Sequence, residues 1–560
     1  MNARGWLPCV LLCLACGRDV AQTAERTDEP EDLLDCSTPP SAFSLPTSGA
    51  FGSGREKASP LVGRGYGAGA GPGLYVAARD TFRVYLNGEL VRESAVARAG
   101  EFVPLSLLPG DNVLAVVVGA GDGAPAAIVQ LEELEQSHFS DARWKVSTAP
   151  SGDFHAASYD DSGWPFAKEL GSAEALAGCG AERLIPTGSR SRWIGPEPGA
   201  GRVAVLRATI RIRALGFAEA TRGGVGAEPV VVTTWDELAR AAEDEQAPAI
   251  VLLPEGVHDF RLQGGDVREQ LACPTPCEQE PGKVVRVLQP EDAPCAAPLT
   301  EATRNERRLL LGSNKTVVGL GRGAALRGVS IQIGAVQNVI VRNVAVFDVN
   351  RSLIEAGDAF GLSAANGVWL DHCTVQWVSD GFTDASAGTQ NVTLSWLRYD
   401  GTNADACGGR HVRGSQLSDA SVTIHHTLFE HLASHSPLVD HPSARVHLYN
   451  NLLSDNPDTG VGAACGAQVL MEANVFESVA APTLRTGCPD NAALGLIFAP
   501  PGSNLYRDAS VTHRGGDGTE PRDAVFRPNY AYDVEPAEDA WPRVRARAGA
   551  GGPWALPLSL

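Results

Sequence analysis

Apolar and polar positions between Asn314 and Glu477 fall into one motif that returns every two to three dozen residues. The copies read NVIVRNVAVF at Asn338, GVWLDHCTVQW at Gly367, NVTLSWLRY at Asn391, SVTIHHTLFEH at Ser421, RVHLYNNLLSD at Arg445 and QVLMEANVFES at Gln468. The second position is always valine: Val339, Val368, Val392, Val422, Val446 and Val469. The fourth is Val341, Leu370, Leu394, Ile424, Leu448 or Met471, and the ninth is Val346, Val375, Tyr399, Phe429, Leu453 or Phe476. Alternation with period two marks a strand with one buried face, and its return at a longer interval marks a stacked solenoid. The interval is too short for a propeller blade and holds no helical segment, so the pattern predicts a parallel β-helix. Asn343, Asn450, Asn451 and Asn474 fall near the bends, where side-chain amides bond backbone groups. His372, His425, His426 and His447 lie within the rungs and are read, like Trp369 and Trp377, as fold residues.

Other patterns flank the repeats. DTFRVYLNGELV, LLPGDNVLAVVV, WKVS, YDDSGWP, SRWIGP and LRATIRIRAL are alternating strands separated by Asn-Gly, Pro-Gly and Asp-Asp-Ser-Gly turns, which predicts a β-sandwich over residues 73–215. Residues 216–229 read as a Gly/Ala-rich linker. VVVTTWDELARAAEDE and AIVLLPEGVHDF then read as strand, Thr-capped helix and strand. The Pro- and Cys-containing stretch 266–308 reads as an irregular insertion, and residues 230–560 as the helical coil with its closing tail. The chain is therefore expected to be all-β.

Residues 1–15 have the order of an export signal, with Arg4 and then an apolar run from Trp6 to Ala15. Leu14-Ala15-Cys16 resembles a bacterial lipoprotein box, with Cys13 where that pattern has leucine; lipidation of Cys16 and ordinary cleavage a few residues later both remain open. Residues 16–72, rich in Gly, Ser, Pro and acids, read as a disordered tether. The expected location is outside the cytoplasm, as a secreted protein or a surface or outer-membrane lipoprotein of a bacterium. The membrane would be met only through the lipid anchor.

Nine cysteines follow Cys16, and in an exported chain they are disulfide candidates with at least one left over. Cys373, inside a rung, is the candidate for the free thiol. Cys273, Cys277 and Cys295 lack a fourth ligand at metal-site spacing and read as a stapled loop. A net charge of −20 over 560 residues excludes a basic nucleic-acid footprint. A monomer is expected.

TTWDELARAA, LLPEGVHDF, SNKTVVGLGRGAAL, VIVRN, GVWLDHCTVQW, DGFTD, NVTLSW, VTIHHTLFEH and RVHLYNNLL, in this order, are similar to the pectate lyase family of right-handed parallel β-helices, as are PNYAYD and RARAGAGGPW in the tail. The sandwich phrases resemble galactose-binding-like jelly rolls; Trp144, Trp164 and Trp193 could stack on a sugar, although core packing is the commoner use of such residues. The family resemblance implies cleavage of an acidic polysaccharide, pectate or a related uronan, by β-elimination. The family neutralises the substrate carboxylate with calcium and removes the adjacent proton with an arginine.

By that resemblance Asp358, Asp380 and Asp384 would hold Ca2+, a hard cation that takes several oxygen ligands. Asp-Gly pairs also simply form turns. The cationic positions depart from the family: His435 stands at the catalytic arginine, Asp440 at the arginine that holds the substrate carboxylate, and a substrate lysine falls on or near Ala404. A neutral imidazole is a workable base, so His435 is the catalytic candidate. Arg410 and Arg413, in the loop 408–414, are the candidates to restore positive charge toward substrate. The other reading is a non-catalytic polysaccharide-binding surface protein on the same scaffold.

Overall fold

The computed structural model describes Leu45 and residues 59–558, apart from 64–65, 96–99, 122, 175–183, 246, 279, 290–294, 490–491 and 508–510. The signal segment, most of the tether, Cys16, Cys36 and Cys179 lie outside the described residues. No helix among the described residues is long and apolar enough to cross a membrane.

The repeat motif folds as its period requires. Ten parallel strands, from Pro229–Val231 through Gln337–Arg342, Asn366–Asp371 and Thr389–Ser395 to Leu496–Phe498, form the back sheet of a coil. Val339, Val368, Val392, Val422, Val446 and Val469 stand in one register row, continued by Ile497. Every member of the row is fully buried. The ninth-position row, Val346 to Phe476, stacks in the same way on the neighbouring face. Each such side chain withdrawn from water contributes about 1.5–3 kcal/mol, so the axial core is the main source of stability.

The second and third faces belong to one curled sheet of fifteen strands. One half is the flank, including Val344–Val349, Thr374–Val378 and Arg398–Asp400. The other is the front, including Val329–Gly334, Phe360–Ser363, Thr383–Ser386, Gln416–Ser418 and Leu438–Asp440. They are joined because Leu452–Ala464 and Val475–Thr486 run from flank to front without a break.

The corner from back to flank is made by one residue per rung in the left-handed region: Asn343, His372, Trp396, His426, Asn450 and Ala473. Rings at this corner stack along the axis, His372 on Trp396 at 5.6 Å and Trp396 on His426 at 4.5 Å, which offsets the strain of a positive φ. One residue further, Asn451, Asn474 and Asn504 form an amide ladder: Asn451 Nδ2 donates to Asn474 Oδ1 at 2.9 Å, and Asn474 Nδ2 to Asn504 Oδ1 at 3.1 Å. The helix Trp235–Glu243 covers the first rung with Leu238 and Ala242, and Thr234 and Glu237 close its capping box.

Two antiparallel sheets form the sandwich, one built on Gly73–Ala78 and Ala127–Glu132, the other on Thr81–Leu86, Gly110–Gly119 and Val203–Ile212. Its apolar interior is continuous with the outer side of the back sheet, where Ile250, Leu252, Val318, Leu320, Ile340 and Trp369 pack against it. Trp144 and Trp193 are buried, and Trp164 packs edge-on to Tyr159. The stretch 216–229 is a strap rather than a free joint: Phe217 N and Ala218 N donate to Thr423 Oγ1 and Thr393 Oγ1, and Gly224 N to Thr316 Oγ1.

The insertion is also ordered. Val284–Leu288, Arg268–Pro276 and Thr300–Arg304 make a small antiparallel sheet, stapled by Cys273–Cys295 within itself and by Cys277–Cys407 to a loop of the coil. Its strands alternate poorly because exposed residues fall on both faces. Cys465–Cys488 closes a third bridge, and Cys373 is a free, buried thiol.

Candidate functional site

The front sheet and the loops that feed it gather the predicted acids. Asp358 lies in the turn before Phe360–Ser363, Asp380 in the turn before Thr383–Ser386, and Asp384 within that strand, in register with Gly361. The backbone ties them together: Gly381 N donates to Asp358 Oδ1 at 2.9 Å, and Gln416 N to Asp384 Oδ1 at 2.9 Å. A Cβ at Gly381 would stand 2.2 Å from Asp384 Oδ1, so any other residue there would displace that carboxylate.

These acids are poorly compensated. Burial and then the charge of Asp380 push Asp358 up to about 7, against the Gly381 amide and Arg308. Burial and then Asp358 hold Asp384 well above the usual carboxylate range. Asp380 is raised by burial and by Glu355, a carboxylate of the Asp358 loop whose part the family resemblance did not signal. Asp380 raises both of the other acids and Asp358 raises Asp384, so the charges of the front acids act on one another.

The candidate arginines divide. Arg413 reaches the cluster, 3.4 Å from Glu355, and its charge opposes the rise of both Asp380 and Asp384. Arg410 instead bonds Asp455, at 2.8 Å to the carbonyl and 2.9 Å to the carboxylate. Between them His411 is buried, stacked on Phe382 at 4.9 Å, with Nε2 2.5 Å from the carbonyl of Asp380. Burial pushes this imidazole down to about 4, so it is a neutral donor that fixes the Asp380 backbone.

His435 adopts a left-handed φ of 55° just before the front strand Leu438–Asp440. Burial, and then Arg413, hold its pKa below the ordinary histidine value, against Asp440 and Asp458. Its Nδ1 is buried with no hydrogen-bond partner. Asp440 is not free: it accepts from Gln416 Nε2 at 2.8 Å and from Ser418 Oγ.

As a cation site the trio fits in its chemistry, three hard carboxylates short of positive charge, which is what a divalent ion neutralises. Among the described residues, the groups of acids and histidines with all ligand atoms within 4.8 Å of one another are Glu135, Asp371 and His372, and Asp400, Glu430 and His431; the front trio is not one of them. Both compact groups already hold a guanidinium, Arg342 on Asp371 at 2.7 Å and Arg398 on Glu430 at 2.6 Å.

The fold is a parallel β-helix whose front face carries buried acids, a histidine and an arginine. The pectate lyase family model matches residues 282–494. A probable pectin lyase D of Emericella nidulans is 30% identical over 300 residues, covering 51% of this chain and 77% of that one. Pectin lyase D of Aspergillus niger is 28% identical over 340 residues, covering 58% and 89%. Among solved structures, pectate lyase II from Xanthomonas campestris pv. campestris is 20% identical with a TM-score of 0.43, covering 61% of this chain and all of that one. The chain belongs to the pectate lyase family.

Proposed function

We propose that this protein is a polysaccharide lyase that cleaves pectate or a related uronan by calcium-assisted β-elimination. The observation that carries the reading is the uncompensated acidity of Asp358, Asp380 and Asp384 beside Arg413 and His435 on one face of the coil. These aspartates would hold the ion, which when bound neutralises the substrate carboxylate and so acidifies the neighbouring C–H. Arg413 adds positive charge toward the same carboxylate. His435 is neutral above its lowered pKa and takes the proton; the released electron pair forms a carbon–carbon double bond, the glycosidic C–O bond breaks, and the departing oxygen is protonated from water. Relatives named pectin lyases support pectin as a second candidate substrate.

A second reading, a polysaccharide binder without turnover, is favoured by Asp440, which puts negative charge near His435 where the resembling enzymes are cationic. One assay decides between them. Polygalacturonate and esterified pectin are incubated with the protein, with calcium or chelator, and the ultraviolet absorbance of unsaturated uronides is followed. Calcium-dependent product is expected, and His435→Ala is expected to reduce it by about 10²–10⁴-fold. Polymer binding with no unsaturated product from any uronan would establish the binder instead. Three disulfides support a location outside the cytoplasm, secreted or on the cell surface.

A further inference from the structure

The loop that delivers Arg413 to the acids is held from outside the coil. It closes on itself where His411 N donates to Gly401 O at 2.6 Å and Asn403 N to Gly409 O at 2.9 Å. Its last part, His411–Arg413, then pairs in parallel with Leu432–Ser434. The tip, residues 404–408, meets the turn 277–283 of the insertion. Lys283 Nζ donates to Ala404 O at 3.0 Å and to Ala406 O at 2.6 Å, Gly408 N donates to Glu280 Oε2 at 3.1 Å, and Cys277 is bonded to Cys407. The turn itself is closed by Cys277 N to Lys283 O at 2.9 Å.

The same small sheet grips the other loop of the site. Leu288 N donates to Ile354 O and Ile354 N to Arg286 O, both at 2.8 Å, and Ala272 and Ala302 pack on Leu353 and Ala356. Ile354 and Ala356 flank Glu355, in the loop that ends at Asp358. The insertion therefore touches the loop of Asp358 and the loop of Arg413 at once and sets the distance between them.

We propose that the insertion is a clamp that fixes the substrate-binding geometry of the front groove, with Lys283 as its positioning residue. Lys283 approaches Ala404, the place where the resembling enzymes carry a substrate lysine. Its role here differs, because an ammonium has three donors and all three are engaged: two carbonyls and Glu280 at 2.8 Å. It acts through Arg413 and His411 and not on substrate. For substrate effects this rests on the uronan reading; for loop order it does not.

The test uses the mature chain with Lys283→Met, which keeps the length and loses the donors, Lys283→Arg, and the pair Cys277→Ser with Cys407→Ser. Calorimetric titration with an oligogalacturonate is expected to show about tenfold weaker binding for Lys283→Met and recovery in Lys283→Arg, a coupling of ordinary size for groups in one network. Amide exchange is expected to quicken over residues 401–414 in Lys283→Met and in the double serine variant, while the back-sheet strands stay protected. Adding Lys283→Met to Arg413→Ala is expected to weaken binding by less than Lys283→Met does alone. Unchanged exchange in both variants, or fully additive losses in the double variant, would overturn the clamp. A native chain that binds no oligogalacturonate would refute the uronan reading, and exchange would still decide the clamp.

Discussion

Asp371 on the back of the coil and Asp358 on its front are the same residue type on neighbouring turns, with opposite fates. Burial alone would raise Asp371, but His372, Arg342 and the Ser395 hydroxyl overcome it and hold the carboxyl below its usual range. Arg342 is itself buried and also bonds Glu133 of the sandwich at 3.0 Å, so Asp371 and Glu133 share one guanidinium, while Glu135 beside them is raised by burial and by Asp371. Asp358 has only the Gly381 amide and a more distant arginine, and is pushed up to about 7. The scaffold can place a guanidinium beside a buried acid where it needs one. On the front Arg413 only partly opposes the rise of Asp380 and Asp384, and Asp358 has no guanidinium bonded to it, which marks these acids as a candidate site.

The comparison breaks most visibly if the compensated set loses its cation. Arg342→Met leaves Glu133 and Asp371 buried without their shared guanidinium and is expected to cost about 3–5 kcal/mol in urea unfolding. The front should show the converse in its pH dependence. Asp358 ionises at 3.8 when unfolded and near 7 when folded, so the folded chain binds more protons across that window. In chelator, the melting temperature of the native chain relative to that of Asp358→Asn is expected to fall as pH rises from about 4 to about 7, and calcium to reverse the fall. A flat profile would mean the front acids are compensated after all. More modestly, Asp384→Asn is expected to stabilise the calcium-free protein by roughly 1 kcal/mol, since it removes one of the repelling charges, and to diminish the calcium-induced rise in melting temperature. The exposed pair Arg514 and Asp458, 2.6 Å apart, sets the baseline: Arg514→Ala is expected to change stability by less than about 0.5 kcal/mol.

The rungs were legible because their signal is local and repeated. The valine row, the asparagine ladder and the capping box of Thr234 each follow from spacing alone, and the positions of Asp358, Asp380 and Asp384 followed from family phrases set between those rungs. What stayed hidden depends on pairings with no local period. Glu133 meets Arg342 across 209 residues, and Lys283 meets Ala404 across 121. The insertion looked irregular because its strands are exposed on both sides and anchored by sulfur bridges, so hydrophobic alternation never marks them. Arg410 and Arg413, three places apart in one Gly-rich loop, could not be told apart by sequence; only the folded loop turns one toward the acids and the other toward Asp455.

The sandwich shares its apolar interior with the outer side of the back sheet and contributes Glu133 to Arg342. A truncation at residue 229 would strip a wall of isoleucine, leucine and valine from the coil and leave Arg342 with Asp371 alone, so the coil is expected to lose stability without the sandwich. The two are therefore expected to melt as one cooperative body, the sandwich bracing the side of the cylinder opposite the front acids.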